Sequence, residues 1–289
     1  MKKHLVLLSV WSIWCFILLG CNEVEEIDPS LDTSVSVEMV DEIYGSHPRQ
    51  AMDVYLPSGR SSEDTKVLVW IHGGAWTDGD KSEFVAFKER FEQSFEGYAF
   101  VSLNYRLFNI NTGSNRFPNQ EEDVLEAIAY IKTNASKWGV APEIVIAGAS
   151  AGGHLALLHA YKNNTDRSVK AVLAFFPPTD FPSFHGFNLI TTLLIEALHG
   201  GSPTNQAQRY IDSSPVNHIE NTSVPTVFFH GTADNVVPIQ QSQLLEQTLK
   251  NNNVPMSHRY VQGAQHGFSF AVYVEMIAQA AEFIKAQID

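Results

Sequence analysis

Two hydrophobic rhythms run along this chain from about residue 34 onward. Residues 35–43 and 50–56 alternate apolar and polar positions, with Gly45 and Pro48 between them, which predicts an antiparallel hairpin. After it come short runs that are apolar almost throughout, at 67–71, 98–103, 144–147, 172–176 and 226–229, with a weaker one at 258–261. Between them, at 82–95, 119–137, 151–162, 238–251 and 270–287, apolar residues recur at three and four, as Val124, Ala127, Ile128 and Ile131 do. A strand that is apolar on both sides is covered on both sides. The pattern therefore predicts an α/β fold: a doubly wound, mostly parallel eight-stranded sheet with helices on both faces and an antiparallel start. Residues 181–221 break the alternation with an apolar helix and loops rich in Gly, Ser and Pro, and are expected to form a small cap insertion. No repeat and no second-domain boundary is visible, so residues 34–289 read as one domain.

Composition narrows the function. Among 289 residues the 32 acids outnumber the 19 Lys and Arg, giving a formal charge of −13. Such a surface offers no stripe to neutralise phosphates, which argues against a nucleic-acid partner. The two cysteines, Cys15 and Cys21, both fall at the N-terminus, so the rest of the chain can hold neither a disulfide framework nor a cysteine-rich metal site. Lys2 and Lys3 precede a mostly apolar run over residues 5–19, short for a membrane span and suited to a secretory signal. It ends in Leu18-Leu19-Gly20-Cys21, which resembles the lipobox of bacterial lipoproteins. The resemblance implies a signal peptide over residues 1–20, acylation of Cys21, and a chain lipid-anchored in the bacterial envelope, at the outer membrane or cell surface. Residues 21–33 carry Glu23, Glu25, Glu26, Asp28 and Asp32 with no Lys or Arg, and read as a solvated acidic tether. It is either a spacer or one of the acidic segments that carry some Gram-negative lipoproteins to the surface.

The sharpest motif is Gly148-Ala149-Ser150-Ala151-Gly152, at the end of a predicted strand and the start of a helix. A serine on such a turn has its hydroxyl pushed out above the sheet, and the crossing of strand and helix demands small neighbours. A hydroxyl needs a base to become a nucleophile, and the base needs an acid to orient it. Asp234 lies four residues beyond the run at 226–229, and His266 lies in the loop after the run at 258–261, giving the order Ser, Asp, His. Upstream, the run at 67–71 ends in His72-Gly73-Gly74-Ala75-Trp76, a loop able to turn backbone N–H groups toward a developing oxyanion. Gly74 and Ala75 are the expected donors together with Ala151, and Gly73 is the alternative.

With these residues the sequence resembles the α/β-hydrolases of the hormone-sensitive-lipase-like esterase group. It is most similar there to bacterial feruloyl and acetylxylan esterases, through Asp53-Val54-Tyr55-Leu56-Pro57, the His72 loop, Asn104-Tyr105-Arg106, the Ser150 turn and His230-Gly231-Thr232-Ala233-Asp234. The resemblance implies a triad of Ser150, Asp234 and His266 in a serine carboxylic-ester hydrolase that works through an acyl-enzyme. Its expected substrates are short-acyl esters, with acetyl or feruloyl esters of extracellular xylan foremost. Ala75 stands where many members have a third glycine; its N–H still donates. The absence of metal-binding and nucleotide-binding motifs implies no metal and no cofactor.

A serine peptidase of the prolyl-oligopeptidase type shares the turn and the residue order, but the chain has no room for the separate gating domain of those enzymes. Kynurenine formamidase has a similar glycine loop but is intracellular, which the signal opposes. A non-catalytic glycan-binding lipoprotein on the same scaffold is the competitor from another class. Of the remaining candidates, His72 and His154 are expected to be structural, His230 and His258 are poor bases by placement, Arg106 is expected in an ion pair, and Asp180 is expected to shape the pocket.

Overall fold

The computed structural model describes residues 31–288. The expected signal peptide, Cys21 and most of the expected acidic tether lie outside the described residues. Residues 31–33, the expected end of that tether, are docked: Leu31 N–H donates to Lys137 O, the Arg60 guanidinium to Asp32 O, and Gly59 N–H to Thr33 O.

The strands are β1 (Val37–Ile43), β2 (Ala51–Leu56), β3 (Val67–Ile71), β4 (Ala99–Leu103), β5 (Ile144–Ala149), β6 (Val169–Phe175), β7 (Thr226–Gly231) and β8 (Met256–Val261). They form one eight-stranded sheet in the order β1-β2-β4-β3-β5-β6-β7-β8. The β1–β2 and β2–β4 pairs are antiparallel, and every pair from β4–β3 to β7–β8 is parallel. The main helices are α1 (Val85–Ser94), α2 (Asn119–Trp138), α3 (Ala151–Leu158), α4 (Phe181–Phe184), α5 (Leu189–His199), α6 (Ala207–Asp212), α7 (Gln240–Asn251) and α8 (Phe270–Ile288). The expected fold class is the one observed.

The unbroken apolar runs have a direct cause. On β3, Val67, Val69 and Ile71 face a core shared with Val124 and Ile128 of α2, Leu155 of α3 and Leu245 of α7. Leu68 and Trp70 face the opposite core with Phe91 of α1 and Met276 and Ile277 of α8. The period of two along the strand thus splits one run between two layers. The helices carry their own boundaries: α2 has Glu121 and Glu122 in its first turn and Lys137 in its last, and stops at Gly139 in the left-handed conformation.

The insertion at 181–221 folds as α4, α5, α6 and a short 3₁₀ turn at Pro215–His218. Phe181, Phe184, Ile195, Leu198 and Tyr210 join it to the α2–α3 side of the core.

Candidate active site

The site lies at the C-terminal edge of the sheet, where α/β folds place their ligands. Ser150 follows β5 and precedes α3, with φ 53° and ψ −119°, a strained backbone for a residue with a side chain. The turn is held by Ser150 N–H donating to Phe175 O at 2.8 Å. Gly152 allows α3 to start this close to the sheet, since a Cβ there would stand 2.1 Å from Ile71 O.

The three expected residues meet. His266 Nε2 lies 2.9 Å from Ser150 Oγ, and His266 Nδ1 lies 2.7 Å from Asp234 Oδ2. Asp234 Oδ1 accepts the Val236 and Val237 N–H groups at 2.9 and 3.0 Å. Burial alone would raise the Asp234 carboxyl, but hydrogen bonds from His230 and His266, the His266 charge and the Val236 amide outweigh it and hold the group well below the usual carboxylate range. An ionised acceptor at Nδ1 fixes a proton there and leaves Nε2 bare toward the serine. The ring is flanked by Phe176, centroid to centroid 4.5 Å.

The glycine loop is set by its carbonyls. Gly73 O accepts from His72 Nδ1 at 2.8 Å and from Tyr105 Oη at 3.1 Å. Gly74 O accepts the Thr77 and Asp78 N–H groups, both at 2.9 Å. A trans peptide points its N–H opposite its C=O, so the Gly74 and Ala75 amides are turned the other way. Among the described residues neither meets an acceptor. The cost is left-handed backbone at Gly74, Ala75 and Trp76, with φ 98°, 51° and 60°. At Gly74 a Cβ would lie 2.1 Å from Asp78 O. The Ala151 N–H is the first of α3 and so has no partner within the helix.

His72 and His154 are structural, as expected. Arg49, which can only donate, faces His72 Nε2 at 3.1 Å, so His72 carries its proton on Nδ1, aimed at Gly73 O. Burial lowers His72 to about 4 and His154 to about 3, so both are neutral near pH 7. His154 accepts from Trp76 Nε1 at its Nδ1 and donates from Nε2 to Ser213 O, joining the glycine loop, the α3 helix and the insertion. Arg106 pairs with Asp123 and Glu122.

One expectation needs correction. Asp180 does not line the cavity; it caps α4 by accepting Ser183 N–H. Sequence reasoning also missed that His230, a poor base by its placement, is fully buried with Nε2 3.2 Å from Asp234 Oδ2. The four-residue spacing from Asp234 was the available signal. Arg49 and its grip on His72 were also missed, because that contact joins a hairpin loop to a strand end with no local pattern.

Beside Ser150 opens a cavity of about 550 Å³. Gly74, Ala75, Ser150 and His266 form its reactive side, Trp70, Phe91, Phe175 and Ile277 its apolar floor, and Asp78 and Glu83 part of its rim. It is the unfilled upper end of the α1–α8 core layer. No residue of the insertion lines it, so the insertion buttresses the α3 side of the site. A shallower depression that His266 also lines is bounded by Asn235, Gln262, Gln265 and Ser269 together with Val236, Val261, Phe268 and Val272.

Sheet order, strained serine turn and the Ser150–His266–Asp234 relay together define an α/β-hydrolase fold. The BD-FAE family model matches residues 52–249, and the chain belongs to that family. Over 216 residues it is 32% identical to the probable carboxylic ester hydrolase LipM of Mycobacterium tuberculosis (strain ATCC 25618 / H37Rv), covering 70% of this chain and 49% of that one. The chain spans about half the length of the curated relatives it matches. Among solved structures, a truncated form of a carbohydrate esterase from gut microbiota superposes with a TM-score of 0.74 at 23% identity, over 90% of this chain and 99% of that one. A bifunctional GH43-CE protein of Bacteroides eggerthii gives a TM-score of 0.75 at 27% identity, over 89% of this chain and 36% of that one.

Proposed function

We propose that the protein is a serine carboxylic-ester hydrolase acting through an acyl-enzyme. The observation that carries this reading is the relay in which one imidazole joins Ser150 Oγ at 2.9 Å to a buried carboxylate at 2.7 Å. His266 Nε2 takes the Ser150 proton as Oγ attacks the ester carbonyl, and Asp234 stabilises the imidazolium through Nδ1–H. The Gly74, Ala75 and Ala151 amides, with Gly73 the alternative donor, hold the oxyanion. His266 then protonates the departing alkoxide, and the ester C–O bond breaks. A water, deprotonated by the same nitrogen, attacks the acyl-enzyme and releases the acid and Ser150.

The apolar cavity suits the acyl group, and the open depression that His266 also lines suits the alcohol, because the leaving oxygen must depart next to the nitrogen that protonates it. Acetyl and feruloyl esters of extracellular polysaccharides fit that division, and so does the naming of a similar structure as a carbohydrate esterase. The lipobox-like Leu18-Leu19-Gly20-Cys21 supports lipid anchoring at Cys21 in a bacterial envelope, with residues 1–20 as signal and an acidic tether behind it.

The test is hydrolysis of nitrophenyl acetate, methyl ferulate, acetylated xylan and a dipeptide amide by the wild type and Ser150→Ala. Ester cleavage that drops on the order of 10³-fold or more in kcat with Ser150→Ala is expected. Equal rates for the two proteins would refute the nucleophile, and cleavage of the amide alone would favour the peptidase reading. Labelled palmitate should enter the wild type and not Cys21→Ser.

A further inference from the structure

The environment of His230 goes beyond a packing role. It projects from β7 with no exposure to solvent, and both of its ring nitrogens are engaged. Nε2 faces two oxygens, Val237 O at 2.9 Å and Asp234 Oδ2 at 3.2 Å, while Nδ1 is 2.6 Å from Ser242 Oγ of α7. A bare ring nitrogen would be repelled by a carbonyl and a carboxylate together, so Nε2 bears the proton. In that tautomer Nδ1 is an acceptor, and the Ser242 hydroxyl is the donor that fits it.

We infer that His230 is a positioning residue of the proposed triad: its Nε2–H, donated to Val237 O, stands 3.2 Å from the same Asp234 oxygen that accepts the His266 Nδ1–H, bracing the carboxylate and tempering its pull on His266. This rests on the acyl-enzyme reading of Ser150, His266 and Asp234. Two amides hold Oδ1, the His266 N–H holds Oδ2, and the His230 ring packs against Oδ2 at 3.2 Å while its own proton is bonded to Val237 O, so the carboxylate cannot swing without breaking a bond. The nearby His230 N–H also helps to hold Asp234 ionised against its burial. An oxygen that divides its charge between two donors attracts each less than it would attract one. The imidazolium formed on His266 is therefore held less tightly than it would be beside a carboxylate with no second neighbour, which favours its return of the proton to the departing alkoxide.

The test compares full-chain wild type, His230→Leu and His230→Gln by kcat and KM for nitrophenyl acetate across pH. The acid limb of kcat/KM reports His266. The groups facing that ring are Asp234 from the β7–α7 loop, Ser150 from the turn, and Asp78, Glu83 and Tyr273 around the cavity. All are unchanged among the three proteins. His230→Leu should lower kcat about 10- to 100-fold with KM nearly constant. It should also move the acid-limb midpoint up by about half a pH unit or more, because Asp234 then serves His266 alone. His230→Gln, whose side-chain N–H can reach Asp234, should recover most of the rate and the wild-type midpoint.

A His230→Leu enzyme with an unmoved midpoint, or a His230→Gln enzyme displaced as far as the leucine variant, would overturn the inference. Nitrogen NMR of the wild type provides a measurement that needs no variant: His230 must be the Nε2–H tautomer, and an Nδ1–H tautomer would equally refute it. Loss of the acyl-enzyme reading would instead be seen as full activity of Ser150→Ala, a result independent of the His230 tautomer.

Discussion

Arg49 donates to His72 Nε2 at 3.1 Å, and through that bond sets the direction of a carbonyl on the far side of the imidazole ring. The guanidinium fixes the proton on Nδ1, Nδ1–H pins Gly73 O, and the flat peptide turns the Gly74 amide the opposite way. Replacing His72 by phenylalanine keeps a ring to stack on Tyr105, whose centroid is 4.4 Å away, while removing the N–H. His72→Phe should therefore lower kcat by about 10-fold or more with a small change in KM, the pattern of a weakened oxyanion site. Steady-state kinetics on nitrophenyl acetate checks it; a fall in KM-dependent terms alone would contradict the loop's proposed role.

Asp234→Asn should retain the fold and lose roughly 10³- to 10⁴-fold in kcat, because an amide nitrogen facing Nδ1 favours the wrong His266 tautomer. Kinetics paired with a thermal melt separates this from simple unfolding.

Acid should destabilise the protein in two stages. His72, His154, His159 and His199 are buried and lowered from 6.5 to about 4, 3, 4 and 4, desolvation being the largest cause in each. Below pH 6.5 the unfolded chain binds protons that the folded chain refuses, so stability falls as pH drops from 6.5 toward 4, by up to about 1.4 kcal/mol per pH unit for each histidine. Asp234 and Asp80 are depressed instead, Asp80 to about 2, so their stabilisation is present above 3.8 and is lost as pH falls below it. Urea unfolding from pH 7.5 to 4 should show the first stage; a flat profile over that range would contradict neutral buried histidines.

Gly152→Ala places a Cβ 2.1 Å from a backbone oxygen that cannot yield without moving β3. The expected cost is about 3 kcal/mol or more, read as a large drop in melting temperature or in soluble yield.

Ile277 is 1% exposed and lies on the cavity floor. Ile277→Trp should shorten the cavity, leaving kcat/KM for acetyl esters within a few-fold while lowering that for octanoyl esters about 10-fold or more. Equal losses for both chain lengths would mean that the acyl group lies elsewhere.

Much of this molecule was legible in its sequence because its physics is local or repetitive. The parallel strands β3 to β7 are buried on both faces and so read as nearly unbroken apolar runs, whereas the half-buried edge strand β8 reads more weakly and β1 and β2 alternate. Ser150 announces itself by the small residues that its turn requires, and Asp234 and His266 by their place after strands. What stayed hidden depends on contacts between distant segments. Arg49 meets His72 only because β2 lies beside β4 and β4 beside β3. The cavity exists because the α1–α8 layer stops short of the sheet edge, which no periodicity records. Asp180 stands at the right strand end, yet its side chain is spent on starting a helix.

The docked residues 31–33 fix a polarity for the whole domain. Leu31 is bonded at the C-terminus of α2, beside the stretch where Ala141 N–H meets Thr65 O and β3 and β5 begin. Ser150 stands where β5 ends. Leu31 thus stands at the pole opposite Ser150, so the described chain enters the domain at the end of the sheet farthest from the cavity.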